Sequence, residues 1–257
     1  MPNNKPRIFW LLVSIVLASC SYRQQILKND FTTVVEGLQI QTFGDVSSLD
    51  SPVVLVFLHS DACVADYMTT MAKTVVRKNI LSFVMARPGC VVNNRRSIGN
   101  HGNYDHYTAE RIDAVSNSVR SLRDHYKASK VFLIGHSGGA VTAGIVAGRH
   151  PDLVNGFVAI AFPANIPDWR RYRKRGEDWK DSLSPHDYVN DIKQSTLLFI
   201  VNGSEDDITP PSFSVEYADT AASRGLSVEN IVLDGENHRS SFHAHKVWSI
   251  ISSLTYD

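Results

Sequence analysis

Val131-Phe132-Leu133-Ile134-Gly135-His136-Ser137-Gly138-Gly139, followed by the small-residue run Ala140 to Gly148, decides the fold of this chain. The first four residues form a continuous apolar run, as in a strand buried on both faces. The run from Ala140 reads as a helix. Between them, Gly-x-Ser-x-Gly makes a strand, tight turn, helix unit with a serine at its apex. Gly135 and Gly138 lack the β-carbons that would collide across such a turn. The serine stands at a helix N-terminus, where free N–H groups and the helix dipole favour negative charge. The N–H of Gly138 can help hold the oxyanion formed when Ser137 attacks a carbonyl.

Outward from this turn, strands and helices alternate. Residues 31–43 read as an opening hairpin with Gly37 at its turn. Val53 to Leu58, Leu81 to Ala86, 131–134, Gly156 to Phe162, Thr196 to Val201 and Asn230 to Leu233 read as further strands. Residues 63–78, 108–127, 139–149, 212–224 and 241–254 read as helices. In the second of these Ile112, Val115, Val119, Leu122 and Tyr126 recur at spacings of three and four, which marks the face turned to the sheet. Such alternation predicts an α/β fold, a mainly parallel central sheet with helices on both faces. Functional loops are then expected beyond the carboxyl ends of the strands.

The element order and the Gly135–Gly139 motif resemble the α/β-hydrolase superfamily over roughly residues 35–255. In that family nucleophile, acid and histidine follow one another along the chain. The resemblance implies Ser137 as the nucleophile. In Asn202-Gly203-Ser204-Glu205-Asp206-Asp207-Ile208-Thr209-Pro210 the family register picks Asp206 as the acid, with Asp207 as its rival. In Asp234-Gly235-Glu236-Asn237-His238 it picks His238 as the general base and acid, ahead of His243 and His245 in the last helix. A second oxyanion donor is implied after strand 53–58, where Leu58-His59-Ser60-Asp61-Ala62 carries serine in place of the family's glycine. By register that donor is the N–H of Asp61, whose carboxylate would have to point away from the developing charge.

The N-terminus reads as an export signal. Lys5 and Arg7 precede an apolar stretch, Ile8 to Ala18, too short to span a bilayer comfortably. Leu17-Ala18-Ser19-Cys20 resembles the lipobox of bacterial lipoprotein signal peptides. The resemblance implies cleavage after residue 19, acylation of Cys20 and a tether over residues 20–30, leaving a catalytic domain over 31–257. A simple secretory signal is the other reading. Ser21, not aspartate, points to an outer-membrane location on the periplasmic side. Of the other cysteines, Cys63 and Cys90 are either a disulfide, which an oxidising compartment permits, or two separate thiols.

Lysine plus arginine and aspartate plus glutamate each number 26, so charge gives no case for nucleic-acid binding. No Cys-x-x-Cys or His-Glu-x-x-His spacing marks a metal site, and no cofactor is implied. The segment from about Pro163 to Gln194 is a short lid insert, which predicts an open cleft with a small flap. Its run Trp169-Arg170-Arg171-Tyr172-Arg173-Lys174-Arg175 reads as a solvated face pairing with Glu177, Asp178 and Asp181, or as a contact for anions. His136 reads as a packing residue of the turn. His101, Tyr104, His106 and Tyr107 read as surface loop. Expected function is a serine hydrolase acting through an acyl-enzyme on a small-molecule, lipid or peptide acyl group, held to the membrane by the anchor at Cys20. A peptidase, an acyltransferase and a haloperoxidase-like activity use the same triad, and a non-catalytic binding protein keeps the same fold.

Overall fold

The structure, a computed structural model, describes residues 32–47, 49–100, 106–175 and 179–256. The leader, Cys20, the tether, His101, Tyr104, Glu177 and Asp178 lie outside the described residues.

An eight-stranded sheet carries the fold: β1 (Thr32–Val35), β2 (Leu38–Phe43), β3 (Val53–Leu58), β4 (Ile80–Met85), β5 (Lys130–His136), β6 (Gly156–Ile160), β7 (Leu197–Gly203) and β8 (Ser227–Leu233). In space they run β1-β2-β4-β3-β5-β6-β7-β8. β1 and β2 form the opening hairpin, and β2 joins β4 antiparallel. All other pairings are parallel. The helices are α1 (Thr69–Thr74), α2 (Ala109–Tyr126), α3 (Gly138–Arg149), α4 (Ile166–Tyr172), α5 (Pro185–Tyr188), α6 (Ser212–Ser223), α7 (Ser240–His243) and α8 (His245–Ser253).

Side-chain alternation explains why the central strands are apolar throughout. In β3, Val54, Val56 and Leu58 enter a core shared with Ile112 and Val119 of α2 and with Val141 and Ile145 of α3. Val53, Leu55 and Phe57 enter the opposite core, with Met71 of α1 and Val247 and Ile251 of α8. A strand that must fill two cores has no polar position to spare. The edge strand β8 does: Glu229 and Asn230 are exposed, and the run begins at Ser227, three residues before its apolar signal. Central α3 is buried from Gly138 to Gly148, so only small or apolar side chains fit there.

Three segments depart from the sequence reading. The helix expected over 63–78 shrinks to a 3-10 turn at Asp66–Met68 followed by α1. Cys63 has φ +62° and Val64 bridges to Val91, so the segment cannot enter a helix earlier. Val91–Val92 and Arg95–Arg96 form a two-residue antiparallel ribbon that the sequence reading missed. The helix expected over 241–254 is interrupted at Ala244, whose backbone is extended (φ −64°, ψ 142°).

Candidate active site

Ser137 sits between β5 and α3 with φ 54° and ψ −116°, a corner that L-residues avoid. Its N–H donates to the Ile160 oxygen at 2.8 Å, and its own oxygen accepts from Ala140 and Val141. A β-carbon on Gly135 would run into the backbone of Gly139 and Ala140, and one on Gly138 into the Asp61 carboxylate and the Tyr107 hydroxyl. Gly139, which the sequence reading did not single out, lies against the Leu58 and His59 carbonyls of the neighbouring strand end. The turn therefore requires all three glycines for close approach.

Asp206 follows β7 and is buried. Its Oδ1 accepts from the N–H groups of Ile208 (2.9 Å) and Thr209 (2.8 Å), and its Oδ2 from the Thr209 hydroxyl (2.6 Å). His238 follows β8 and turns Nδ1 to this carboxylate, 2.9 Å from Oδ2 and 3.1 Å from Oδ1. Burial alone would raise the Asp206 carboxyl. The hydrogen bonds from His238 and Thr209 outweigh it and hold the group below the usual carboxylate range. Asp207 is exposed and offers only its backbone oxygen, to Tyr172 and Arg173. His243 and His245 are both exposed.

The loop after β3 is fixed from several sides. Asp61 gives Oδ1 to Arg87 at 2.7 Å and Oδ2 to the Tyr107 hydroxyl at 2.6 Å. Burial would raise its carboxyl, but the charge of Arg87, with His106 and these hydrogen bonds, holds it low and ionised. Arg87 also reaches the Gly138 oxygen (3.3 Å) and Thr142 Oγ1 (3.4 Å). His59 donates from Nδ1 to the Ser60 oxygen and accepts the Arg87 N–H at Nε2. Burial, and then the Arg87 charge, push this ring down to about 3, so it stays neutral. Ser60 occupies the family's glycine position without a positive φ, and its N–H donates to the Tyr67 hydroxyl at 3.0 Å. Cys63 and Cys90 are joined as a disulfide, with Cα atoms 4.7 Å apart, which ties this loop to the one after β4.

These elements surround one cavity of about 1030 Å³, with Ser137, His238, Asp61 and His136 in its wall. The lid insert closes part of it. Trp169 Nε1 donates to the Ile208 oxygen at 2.8 Å, and the Tyr172 hydroxyl to the Asp207 oxygen at 3.0 Å. The basic run is thus not simply a solvated face: Arg170 is buried over the Trp179 ring at 4.2 Å, and Arg173, Lys174 and Arg175 line the cavity. Tyr107 and His106, read from sequence as surface loop, are buried. His136, read as a packing residue, is a hydrogen-bonding hub: Tyr67 OH lies 2.9 Å from Nδ1 and the His238 oxygen 2.9 Å from Nε2. Arg87, Tyr67 and Thr209 were the residues missed. Only Thr209 had a visible cue, a hydroxyl three residues after Asp206. Among the described residues no group of three or more His, Cys, Asp or Glu is placed to hold a metal ion.

The sheet order and the strand–serine–helix corner are those of the α/β-hydrolase fold. The protein belongs to the prolyl oligopeptidase family, whose model matches residues 99–256, more than half of the chain. Solved structures with a similar fold include an acylaminoacyl peptidase of Pyrococcus horikoshii (13% identity, TM-score 0.69, 88% of this chain and 41% of that one). A truncated carbohydrate esterase from gut microbiota has 12% identity and a TM-score of 0.66, over 89% of this chain and 95% of that one. The proline iminopeptidase of Mycobacterium smegmatis has 11% identity and a TM-score of 0.65, over 88% and 97%. The chain spans about two fifths of the length of the acylaminoacyl peptidase. No curated protein matches it.

Proposed function

We propose that the protein is a serine hydrolase that transfers an acyl group from a carboxylic ester, thioester or amide to water. Ser137 Oγ attacks the carbonyl while His238 takes its proton. Asp206 holds the Nδ1–H and stabilises the imidazolium. The N–H groups of Gly138 and Asp61 receive the oxyanion. His238 then protonates the leaving group, and water repeats the sequence on the acyl-enzyme. The observation that carries this reading is the coupling of His238 Nδ1, at 2.9 Å, to a buried aspartate already fixed by two backbone N–H groups and one hydroxyl. A carboxylate so oriented sets one ring tautomer, which leaves Nε2 to accept a proton. Family membership brings peptide amides forward within this substrate class; the carbohydrate esterase neighbour does the same for esters. The loop after β3 also supports catalysis over a purely binding role, because the Asp61 carboxylate is neutralised by Arg87.

The test is a fluorophosphonate on the soluble domain from residue 21, with the adduct located by peptide mass spectrometry. An adduct on Ser137 that disappears in His238→Ala is the expected result. No adduct on folded protein would overturn the assignment and leave the binding-protein reading.

Export with lipid attached to Cys20 is proposed alongside. It is supported by the Lys5–Cys20 sequence pattern and by a disulfide that suits an oxidising compartment. Metabolic labelling with a palmitate analogue in a bacterial host should mark the wild type and not Cys20→Ala. Equal labelling of both would overturn it.

A further inference from the structure

The cavity wall is electrostatically lopsided. Arg173, Lys174, Arg175 and Arg239 all line the space that holds Ser137 and His238. Among the described residues the wall offers one carboxylate, Asp61, and Arg87 holds it at 2.7 Å. None of those four cations forms an ion pair among the described residues. Arg171, on the exposed side of α4, does pair, with Asp168 one turn away. Arg173, Lys174 and Arg175, just past the end of that helix, have no such ion-pair partner among the described residues.

The frame carrying these charges is fixed. Trp169 and Tyr172 fasten α4 to the backbone of Ile208 and Asp207, beside the acid. Arg170 stacks on Trp179 and donates to the Arg175 oxygen at 2.6 Å, which holds the turn after α4 in place. Arg239 adjoins His238 in sequence. Arg173 is half-buried and Lys174, Arg175 and Arg239 are exposed; like charges gathered around one cavity repel one another, and a bound anion relieves that repulsion. Guanidinium forks and an ammonium in one wall suit a carboxylate, which accepts several charge-assisted hydrogen bonds at once.

We propose that the substrate carries an ionised carboxylate besides the bond that is cleaved, and that Arg173, Lys174, Arg175 and Arg239 form its subsite. The word substrate rests on the serine-hydrolase reading above; the anion subsite itself does not. Position favours this over a membrane contact, because the cations line the same cavity as the nucleophile.

Two substrates that differ by one charge test it: mono-4-nitrophenyl glutarate and its methyl ester. The expected result is a kcat/KM about tenfold higher for the free acid at low salt, carried mainly by KM. That ratio should shrink towards unity in 0.5 M NaCl, as screening of partly exposed charges requires. It should also fall in Lys174→Ala and in Arg175→Ala, whatever the absolute rates of those variants. A separate arm titrates glutarate into Ser137→Ala by calorimetry. Saturable binding that weakens with salt and is lost in the Lys174→Ala background would support the subsite even where neither ester is turned over, and the hydrolase reading alone would then fall. Equal turnover of both esters with no glutarate binding would overturn the subsite and leave the hydrolase standing. Binding to phosphatidylglycerol vesicles without any glutarate binding would overturn it in favour of a membrane contact.

Discussion

His136 donates from Nε2 to the backbone oxygen of His238 at 2.9 Å, so the residue before the proposed nucleophile holds the loop of the proposed general base. Its other ring nitrogen meets the Tyr67 hydroxyl, which in turn accepts the Ser60 N–H. One neutral imidazole therefore links three loops: those after β3, β5 and β8. Burial pushes its pKa down to about 4, against the hydrogen bond to His238.

The sign of the resulting pH dependence follows. In the unfolded chain this ring titrates near 6.5; in the fold it titrates near 4, and His59 near 3. Between those values the unfolded state binds more protons, so stability is full above pH 6.5 and falls as the pH drops. At pH 4.5 each ring is expected to have cost roughly 2 to 3 kcal/mol of stability. Urea unfolding at pH 7 and pH 4.5 measures the loss. In His136→Gln the slope between these pH values should be shallower. The Asp206 and Asp61 carboxyls, both held low, contribute their losses only below that range.

Arg87 bridges the two proposed oxyanion donors, holding the Asp61 carboxylate with one nitrogen and the Gly138 oxygen with another. It acts through them as a positioning residue. Arg87→Lys should keep the charge and lose the fork, lowering kcat by roughly tenfold to a hundredfold with little change in KM. A loss seen only in KM, or no loss at all, would show that placement of the donors does not depend on the fork.

Asp206→Asn should cost roughly 10³- to 10⁴-fold in kcat, because the amide can favour the wrong histidine tautomer. Asp207→Asn should change kcat less than about threefold, since its exposed side chain is not what binds the lid. The reverse order would move the acid by one position.

The Cys63–Cys90 disulfide closes a loop of 27 residues and joins the strand ends that carry Asp61 and Arg87. Loop-closure entropy puts its contribution at about 3.5 kcal/mol. Cys63→Ser with Cys90→Ser should lower the melting temperature by several degrees. Turnover of any acyl substrate should fall with it at temperatures where both proteins stay folded.

The parts of this molecule that repeat or alternate could be read from the sequence. β3 has the bounds its apolar run implied, and α2 runs from Ala109 to Tyr126 within the expected 108–127. Asp206 and His238 lie together as their loop registers implied. What escaped depends on contacts distant in sequence. Arg87 gave no signal in the sequence because its partners, Asp61 and Gly138, are 26 and 51 residues away. The segment after Cys63 has helix-forming residues, but its disulfide and its bridge to Val91 override that preference. β8 hides its first three residues because an edge strand needs only one apolar face.

The corner at Ser137 has a consequence for how the site is retained. At φ 54° and ψ −116° glycine would be at ease and serine is strained. Ser137→Gly is therefore expected to unfold at a higher temperature than the wild type while losing its acyl chemistry. Selection for folding alone would drift towards glycine at this position, so the serine holds its place against the thermodynamic preference of its own backbone.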